Sequence, residues 1–227
     1  TNKNVLCLLA HQDDEYFIAP FLIREQRKGN LVTCVYLTNG GAYGVDSMIR
    51  NEESLKALSS IGITEENVSF LGSELRCFDS TIMSRCQEIL DVLKEKLDKK
   101  KIFRIYCPAW EGGHSDHDTT HLIALAFSKS RAIMPATWQF SLYHRYWVPK
   151  YFFRVMSLLD KSDKSFVERF PFFVAFKCAF LFLNYPSQWK TWLGLSPEAV
   201  LKILLLRRIR VKTVSTKKVF ERPHVGP

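Results

Sequence analysis

The 227-residue sequence has no closely paired cysteines and no visible secretory signal. Its six cysteines are scattered, and no two of them show the Cys-x-x-Cys spacing of a thiolate zinc site. The apolar run after Lys3 is short and leads directly into charged residues, unlike a signal peptide. We therefore expect buried, reduced thiols in a cytoplasmic protein and no disulfide framework.

Long apolar runs and nucleic-acid-binding motifs are also missing. The most apolar stretch, residues 170–185, contains Pro171 and Lys177 and is followed by Pro186, which leaves less than the roughly 20 residues of a membrane crossing. We predict a core helix there. The sequence has no zinc-finger spacing and no Gly-rich aromatic RNA motif, so no nucleic-acid partner is expected despite a net charge of +9.

What the first half of the sequence does contain is an alternation of strand-like and helix-like segments. Four strand-like runs occupy residues 5–9, 31–38, 68–71 and 102–107, and the segments between them with helical character are residues 16–28, 47–60 and 81–98. This alternation is typical of an α/β fold in which helices cover both faces of a mostly parallel sheet. We predict a single domain over residues 1–227, with an α/β core in 1–135 and a C-terminal helical and aromatic part in 136–227.

A cluster of charged residues follows the first strand, in His11-Gln12-Asp13-Asp14-Glu15. Consecutive carboxylates repel one another, so grouping them suggests a bound cation or a reaction that needs them. The alternative is a solvated first turn of a helix, where acidic residues are favoured.

A second cluster, His114-Ser115-Asp116-His117, follows the strand at 102–107. Histidine and aspartate are ligands of catalytic zinc, which keeps one position open for water. Because open α/β sheets bind ligands at the carboxyl ends of their strands, we expect the two clusters to meet. His121 is either a group supporting this site or a packed helical histidine, and His144 and His224 are expected in the core or on the surface.

Together the two motifs resemble the LmbE and PIG-L family of zinc-dependent N-acetyl sugar deacetylases, whose usual forms are His-Pro-Asp-Asp-Glu and His-x-Asp-His. Gln12 replaces the commoner proline. Arg50-Asn51-Glu52-Glu53 is similar to the family's Arg-x-x-Glu helix, which ends here near Gly62. The resemblance covers residues 4–125 and thins to Tyr185-Pro186-Ser187-Gln188, similar to a Ser-Gln element of some members.

The resemblance implies a Rossmann-like fold and a role for each motif residue. His11, Asp14 and His117 would bind Zn²⁺ or another divalent metal, and Asp13 would be the general base. His114, held in its charged form by Asp116, would stabilise the oxyanion or protonate the amine.

The sequence leaves two roles open for Arg50. Arg50 would either contact sugar hydroxyls or a phosphate, or form a salt bridge with Glu52 or Glu53 on its own helix. Glu74 and Asp79 are displaced from a family aspartate position and are left without a role.

The sequence therefore predicts a zinc-dependent hydrolase that removes the N-acetyl group from an N-acetylglucosamine-type amino sugar and releases acetate. The sugar could be free, or part of a nucleotide-linked or lipid-linked glycan precursor. The alternatives are an amidase of the same family that acts on a sugar-thiol conjugate, and a non-catalytic protein that binds a metal or a polyanion.

The C-terminal part places an apolar block, residues 203–206, directly before a basic one, residues 207–210. The whole sequence contains 32 basic and 23 acidic residues. Such a surface favours an anionic membrane, here its cytoplasmic face, or a diphosphate-linked sugar. The alternative is that the lysines only keep the domain soluble.

Overall fold

The computed structural model describes residues 2–41, 45–149, 153–159 and 164–223. The strands are β1 (Asn4–Leu9), β2 (Leu31–Tyr36), β3 (Val68–Ser69), β4 (Ile102–Pro108), β5 (Ala136–Phe140), β6 (Tyr143–His144), β7 (Arg154–Val155), β8 (Ser165–Arg169) and β9 (Arg208–Thr213). The α-helices are α1 (Ala19–Arg27), α2 (Ser47–Ser60), α3 (Leu71–Glu74), α4 (Cys86–Leu97), α5 (Ser115–Ser130), α6 (Phe172–Ala179) and α7 (Trp189–Leu201).

Seven strands form one sheet in the order β3-β2-β1-β4-β5-β9-β8, and β6 pairs with β7 separately. The first five strands of this order are parallel, whereas β9 is antiparallel to both β5 and β8. The predicted single α/β domain with a mostly parallel sheet is confirmed.

Strand β1 lies at the centre of the sheet, between β2 and β4. Its side chains alternate between two hydrophobic cores: Val5, Cys7 and Leu9 belong to one core, and Leu6 and Leu8 to the other. A strand that is covered on both faces needs a continuous apolar run rather than an alternating one. The order of the sheet also places the loops after β1 and β4 side by side, where the chain winds away in opposite directions.

The predicted helices agree with the structure in position, and two of the three differ in their first turns. The helix predicted at 16–28 is a 3-10 turn, Asp14–Phe17, followed by α1, which has Pro20 in its first turn. Proline is tolerated there because its missing N–H has no partner in a first turn. The helix predicted at 81–98 likewise begins with a 3-10 turn, Ile82–Arg85.

A close backbone contact fixes the start of α3 against the loop after β2. A Cβ atom placed on Gly72 would lie 2.1 Å from the carbonyl carbon of Thr38. Only glycine allows such an approach, and the contact holds the loop that leads to Gly40 at the edge of the sheet.

The prediction of a core helix at residues 170–185 is wrong in part. Helix α6 buries Val174 and Ala175, but Phe172, Phe173 and Phe176 are each more than half exposed. The segment is apolar all round, so its sequence has no periodicity that would reveal the buried face. None of the helices in the described part of the chain has the length and hydrophobicity of a membrane span.

The six cysteines are free thiols, and all except Cys86 are buried. The prediction that the thiols are buried is confirmed for five of the six.

Candidate active site

Three predicted metal ligands, His11, Asp14 and His117, converge at the carboxyl ends of β1 and β4. The Nδ1 atom of His11 lies 3.2 Å from Nε2 of His117, which lies 3.1 Å from Oδ1 of Asp14. Bonds of 2.0–2.1 Å around a tetrahedral zinc ion place ligand atoms about 3.3 Å apart. The three side chains are buried, and their spacing fits a divalent metal of this size.

The backbone orients the Asp14 carboxylate within this group. The backbone N–H groups of Ala10 and His11 both donate to Oδ2 of Asp14, each at 2.9 Å. Oδ1 is thereby directed towards His117. A tight turn directly after β1 makes these contacts possible, so the spacing of the first motif follows from the geometry of the site.

The Asp116 carboxylate orients His11 rather than His114. Oδ2 of Asp116 lies 3.0 Å from Nε2 of His11 and accepts the backbone N–H of Ser80 at 2.5 Å. It lies 3.8 Å from the His114 ring. A carboxylate that contacts a metal-binding histidine holds the proton on the ring nitrogen that faces the carboxylate, here Nε2, and leaves the other nitrogen, Nδ1, free to bind metal.

His114 therefore differs from the predicted charged histidine. Its Nδ1 atom accepts the backbone N–H of Asp116 at 3.1 Å, which places the proton of the neutral ring on Nε2. Burial and the neighbouring His11 and His117 lower the pKa of His114 to about 4, and the nearby carboxylates do not offset this. At neutral pH the ring is a neutral hydrogen-bond donor.

Asp13 lies beside the ligand group without belonging to it. Its backbone adopts φ 132°, which is rare for a residue with a side chain, and such strain is often found at functional sites. Burial raises the pKa of Asp13 to about 8, with Arg50 opposing the shift and Asp14 adding to it. A divalent cation bound nearby would favour the carboxylate form.

Arg50 joins three loops at the floor of the site. Its guanidinium donates to the backbone oxygens of Gly40 and Gln12 at 2.7 and 2.8 Å. It also lies 3.5 Å from the carboxylate of Asp79 and 3.7 Å from that of Asp13. The alternative of a salt bridge within its own helix is wrong, and the contact with a sugar stays a prediction.

The cleft above these residues is lined by side chains to which the sequence assigned no role in the site. Asp79, Ser80, Tyr143, Thr191 and Leu195 line it, together with Phe17 and Gln188. Asp79 was left without a role, and the structure places it in the cleft, whereas Glu74 is exposed and pairs with Lys96 at 2.7 Å.

The Ser-Gln element forms one wall of the cleft. Ser187 donates its backbone N–H and its hydroxyl to the two carboxylate oxygens of Glu53, at 2.8 and 2.5 Å. Gln188, the next residue, lines the cleft. The element is therefore anchored to α2, three residues along from Arg50.

The remaining histidines do not reach the ligand group in the described structure. His121 is buried and binds the carbonyl oxygen of Pro108 at 2.9 Å, so it is a packed helical histidine. His144 is buried and binds the carbonyl oxygen of Ser157, as expected for a core residue. His224 lies outside the described residues.

The sequence is similar to one known protein family over more than half of its length. The family model of the GlcNAc-PI de-N-acetylase, PIG-L, matches residues 6–128, which include all seven predicted site residues. No curated protein matches the sequence significantly.

Several solved structures share the fold. The A40926 pseudoaglycone deacetylase superimposes with a TM-score of 0.70 at 13% identity, covering 100% of both chains. The zinc-inhibited form of the teicoplanin deacetylase gives 0.69 at 13% identity, over 94% of this chain and 100% of the other. The N,N'-diacetylchitobiose deacetylase from Pyrococcus horikoshii gives 0.64 at 16% identity, over 99% and 87%.

Proposed function

The chain belongs to the PIG-L family of GlcNAc-PI de-N-acetylases, and on this basis we propose that it is a metal-dependent N-deacetylase. Its substrate is an N-acetylated amino sugar of the N-acetylglucosamine type, and its products are acetate and the free amine. The observation that carries the proposal is the buried group of His11, Asp14 and His117, with Asp13 and His114 beside it at one cleft.

The metal site fits Zn²⁺ best among common divalent ions, because two imidazole nitrogens and one carboxylate oxygen are typical ligands of catalytic zinc. A bound ion would supply the Lewis acidity that activates water and polarises an amide carbonyl.

The residues of this chain account for the proton transfers. Asp13 is positioned by Arg50 to accept a proton from the attacking water at a carboxylate oxygen. His114 donates a hydrogen bond from Nε2 to the oxygen of the tetrahedral intermediate. Asp13 then passes the proton to the nitrogen as the C–N bond breaks, so that one water molecule is added overall.

The cleft walls support a sugar substrate. Arg50, Asp79 and Gln188 present charged and amide groups that can pair with hydroxyls, while Phe17 and Tyr143 present aromatic surface. Two of the similar solved structures are named as a teicoplanin deacetylase and an N,N'-diacetylchitobiose deacetylase. An amidase acting on a sugar-thiol conjugate would use the same machinery, so such a conjugate belongs in the test panel.

A purely metal-binding role is disfavoured by Asp13. A structural ion gains nothing from an additional buried carboxylate on a strained backbone, since both features cost stability.

The test is acetate release from free, nucleotide-diphosphate-linked and polyprenyl-diphosphate-linked N-acetylglucosamine by zinc-loaded protein. Amide cleavage of a sugar-thiol conjugate is measured alongside. Asp13→Asn keeps the size of the side chain but removes its basicity, so we expect a loss of activity of about 10²- to 10⁴-fold with the metal retained. Asp98→Asn, on the exposed end of α4, is the matched control and should keep full activity.

Three results would count against the proposal. One is activity that survives in Asp13→Asn, another is activity that does not depend on metal, and the third is a lack of acetate release from every sugar with zinc bound. Cleavage of the thiol conjugate alone would select the amidase alternative.

A further inference from the structure

A large apolar surface remains exposed on the C-terminal helices. We name it the C-terminal apolar face and define it by Phe172, Phe173, Phe176, Leu193, Leu201 and Leu205. Their exposed fractions range from 54% for Phe176 to 74% for Leu205. Contiguous exposed apolar surface of this kind marks interaction sites on proteins.

These side chains lie on adjoining elements. Helix α6 packs against α7 and against residues 202–206, the helical turn that continues α7. Phe172 and Phe176 are one helical turn apart, as are Leu201 and Leu205, so each pair lies on the same side of its helix. The buried sides, with Val174 and Leu195, hold these elements to the core.

The charges in the segment that carries this face are predominantly positive. Residues 170–210 contain six basic residues and one acidic residue, Glu198. Glu198 is already paired, since Lys202 lies 2.6 Å from its carboxylate. Lys177 and Lys190 are exposed on the two helices, and the Arg27 guanidinium lies 5.0 Å above the ring of Phe173.

This charge distribution selects the partner. A second copy of the chain bound face to face would bring the lysines of both copies together, and like charges across an interface are costly. An anionic bilayer instead supplies the opposite charge, while the lysine stems extend along apolar surface to reach it.

We infer that the C-terminal apolar face docks on the surface of an anionic phospholipid bilayer. The phenylalanine and leucine side chains enter the boundary between headgroups and acyl chains, and Lys177 and Lys190 contact lipid phosphates. Helix α7 also lines the cleft with Thr191 and Leu195, so docking would bring the cleft close to the membrane.

The inference is tested by flotation of the zinc-loaded protein with vesicles. We expect recovery with vesicles of phosphatidylcholine containing about 30% phosphatidylglycerol, weak recovery with phosphatidylcholine alone, and release at high salt. The readout does not depend on acetate release, so it is independent of the proposed reaction.

Two pairs of variants separate the apolar and electrostatic contributions. Phe172→Ser/Phe176→Ser should lower the partition coefficient at least about tenfold. The matched control, Ile133→Ser/Met134→Ser, changes two equally exposed apolar side chains between α5 and β5 and should float like the original protein.

For charge, Lys177→Glu/Lys190→Glu should abolish the preference for anionic vesicles, whereas Lys56→Glu/Lys129→Glu makes the same change in net charge elsewhere and should keep it. Circular dichroism verifies the fold of each variant. The inference would be overturned if Phe172→Ser/Phe176→Ser floated as well as its control Ile133→Ser/Met134→Ser, or if the original protein did not float. A dimer in light scattering that the phenylalanine variant loses would also overturn it and assign the face to self-association.

Discussion

Replacing Asp116 with asparagine distinguishes two roles for this residue. In the structure the Asp116 carboxylate accepts hydrogen bonds from Nε2 of His11 at 3.0 Å and from the backbone N–H of Ser80 at 2.5 Å. Asparagine keeps the size and can still accept one of these hydrogen bonds, but it removes the negative charge behind His11. We therefore expect the first effect of Asp116→Asn to fall on metal binding.

The magnitude follows from the role of such a carboxylate. Groups that orient a metal-binding histidine typically contribute 10- to 100-fold to metal affinity, which corresponds to about 1.4–2.7 kcal/mol. The contact between Asp116 and His11 is buried, so solvent screening is small and the upper part of this range is expected.

The assay is competition for Zn²⁺ against a chromophoric chelator, combined with kcat and KM at saturating zinc. Asp116→Asn should raise the zinc Kd by about 30- to 100-fold and recover much of its kcat when zinc is in excess. His114→Gln is the matched comparison and should show the opposite pattern, a loss of kcat with little change in zinc Kd. If Asp116→Asn bound zinc normally but lost kcat, Asp116 would act through His114, as the sequence predicted, and our interpretation would be refuted.

Two further predictions concern stability. Burial opposes ionisation of Glu25, but Tyr106 and Arg104 outweigh it and lower its pKa. The contribution of Glu25 to the free energy of unfolding is therefore present at neutral pH and lost as the pH falls from about 4.3 towards the lower folded pKa. Glu25→Gln should lower the free energy of unfolding in urea by about 2 kcal/mol at pH 7 and by progressively less in acid. A difference that does not change with pH would contradict this. Gly72→Ala should destabilise the folded protein by about 3 kcal/mol because of the backbone contact described above. Gly194→Ala, with no atom within 4 Å of the new Cβ, should stabilise it by up to about 1 kcal/mol. Equal melting temperatures of the two variants would contradict this.

The sequence was sufficient to predict the parallel half of the fold and the meeting of its two His/Asp motifs at one edge of the sheet. Strand β1 is recognisable because a strand buried on both faces must be apolar throughout. His11 and Asp14 are recognisable because both lie in one turn, whose backbone N–H groups bind the Asp14 carboxylate. Features that depend on residues close together in the chain could therefore be predicted from the sequence.

Contacts between distant segments could not be predicted in the same way. Asp116 is two residues from His114 in the sequence, yet its carboxylate bonds to His11, 105 residues away. Arg50 carries a charge that suits a sugar, a phosphate or a neighbouring glutamate equally well, and its actual partners come from three loops brought together by the sheet. The exposed face of α6 was missed because an apolar segment without periodicity does not show which side is buried.

The anchoring of Ser187 on Glu53 connects the two halves of the molecule in a way that bears on specificity. Helix α2 belongs to the part matched by the family model, and its Arg50 and Glu53 reach in two directions. Arg50 fixes the loops that carry Asp13, whereas Glu53 holds the start of the C-terminal wall, from which Gln188 and Thr191 enter the cleft. The ligand group lies wholly in the matched part, whereas the C-terminal part contributes Tyr143, Gln188, Thr191 and Leu195 to the cleft. We expect the C-terminal part to influence which substrate enters the cleft and from which surface.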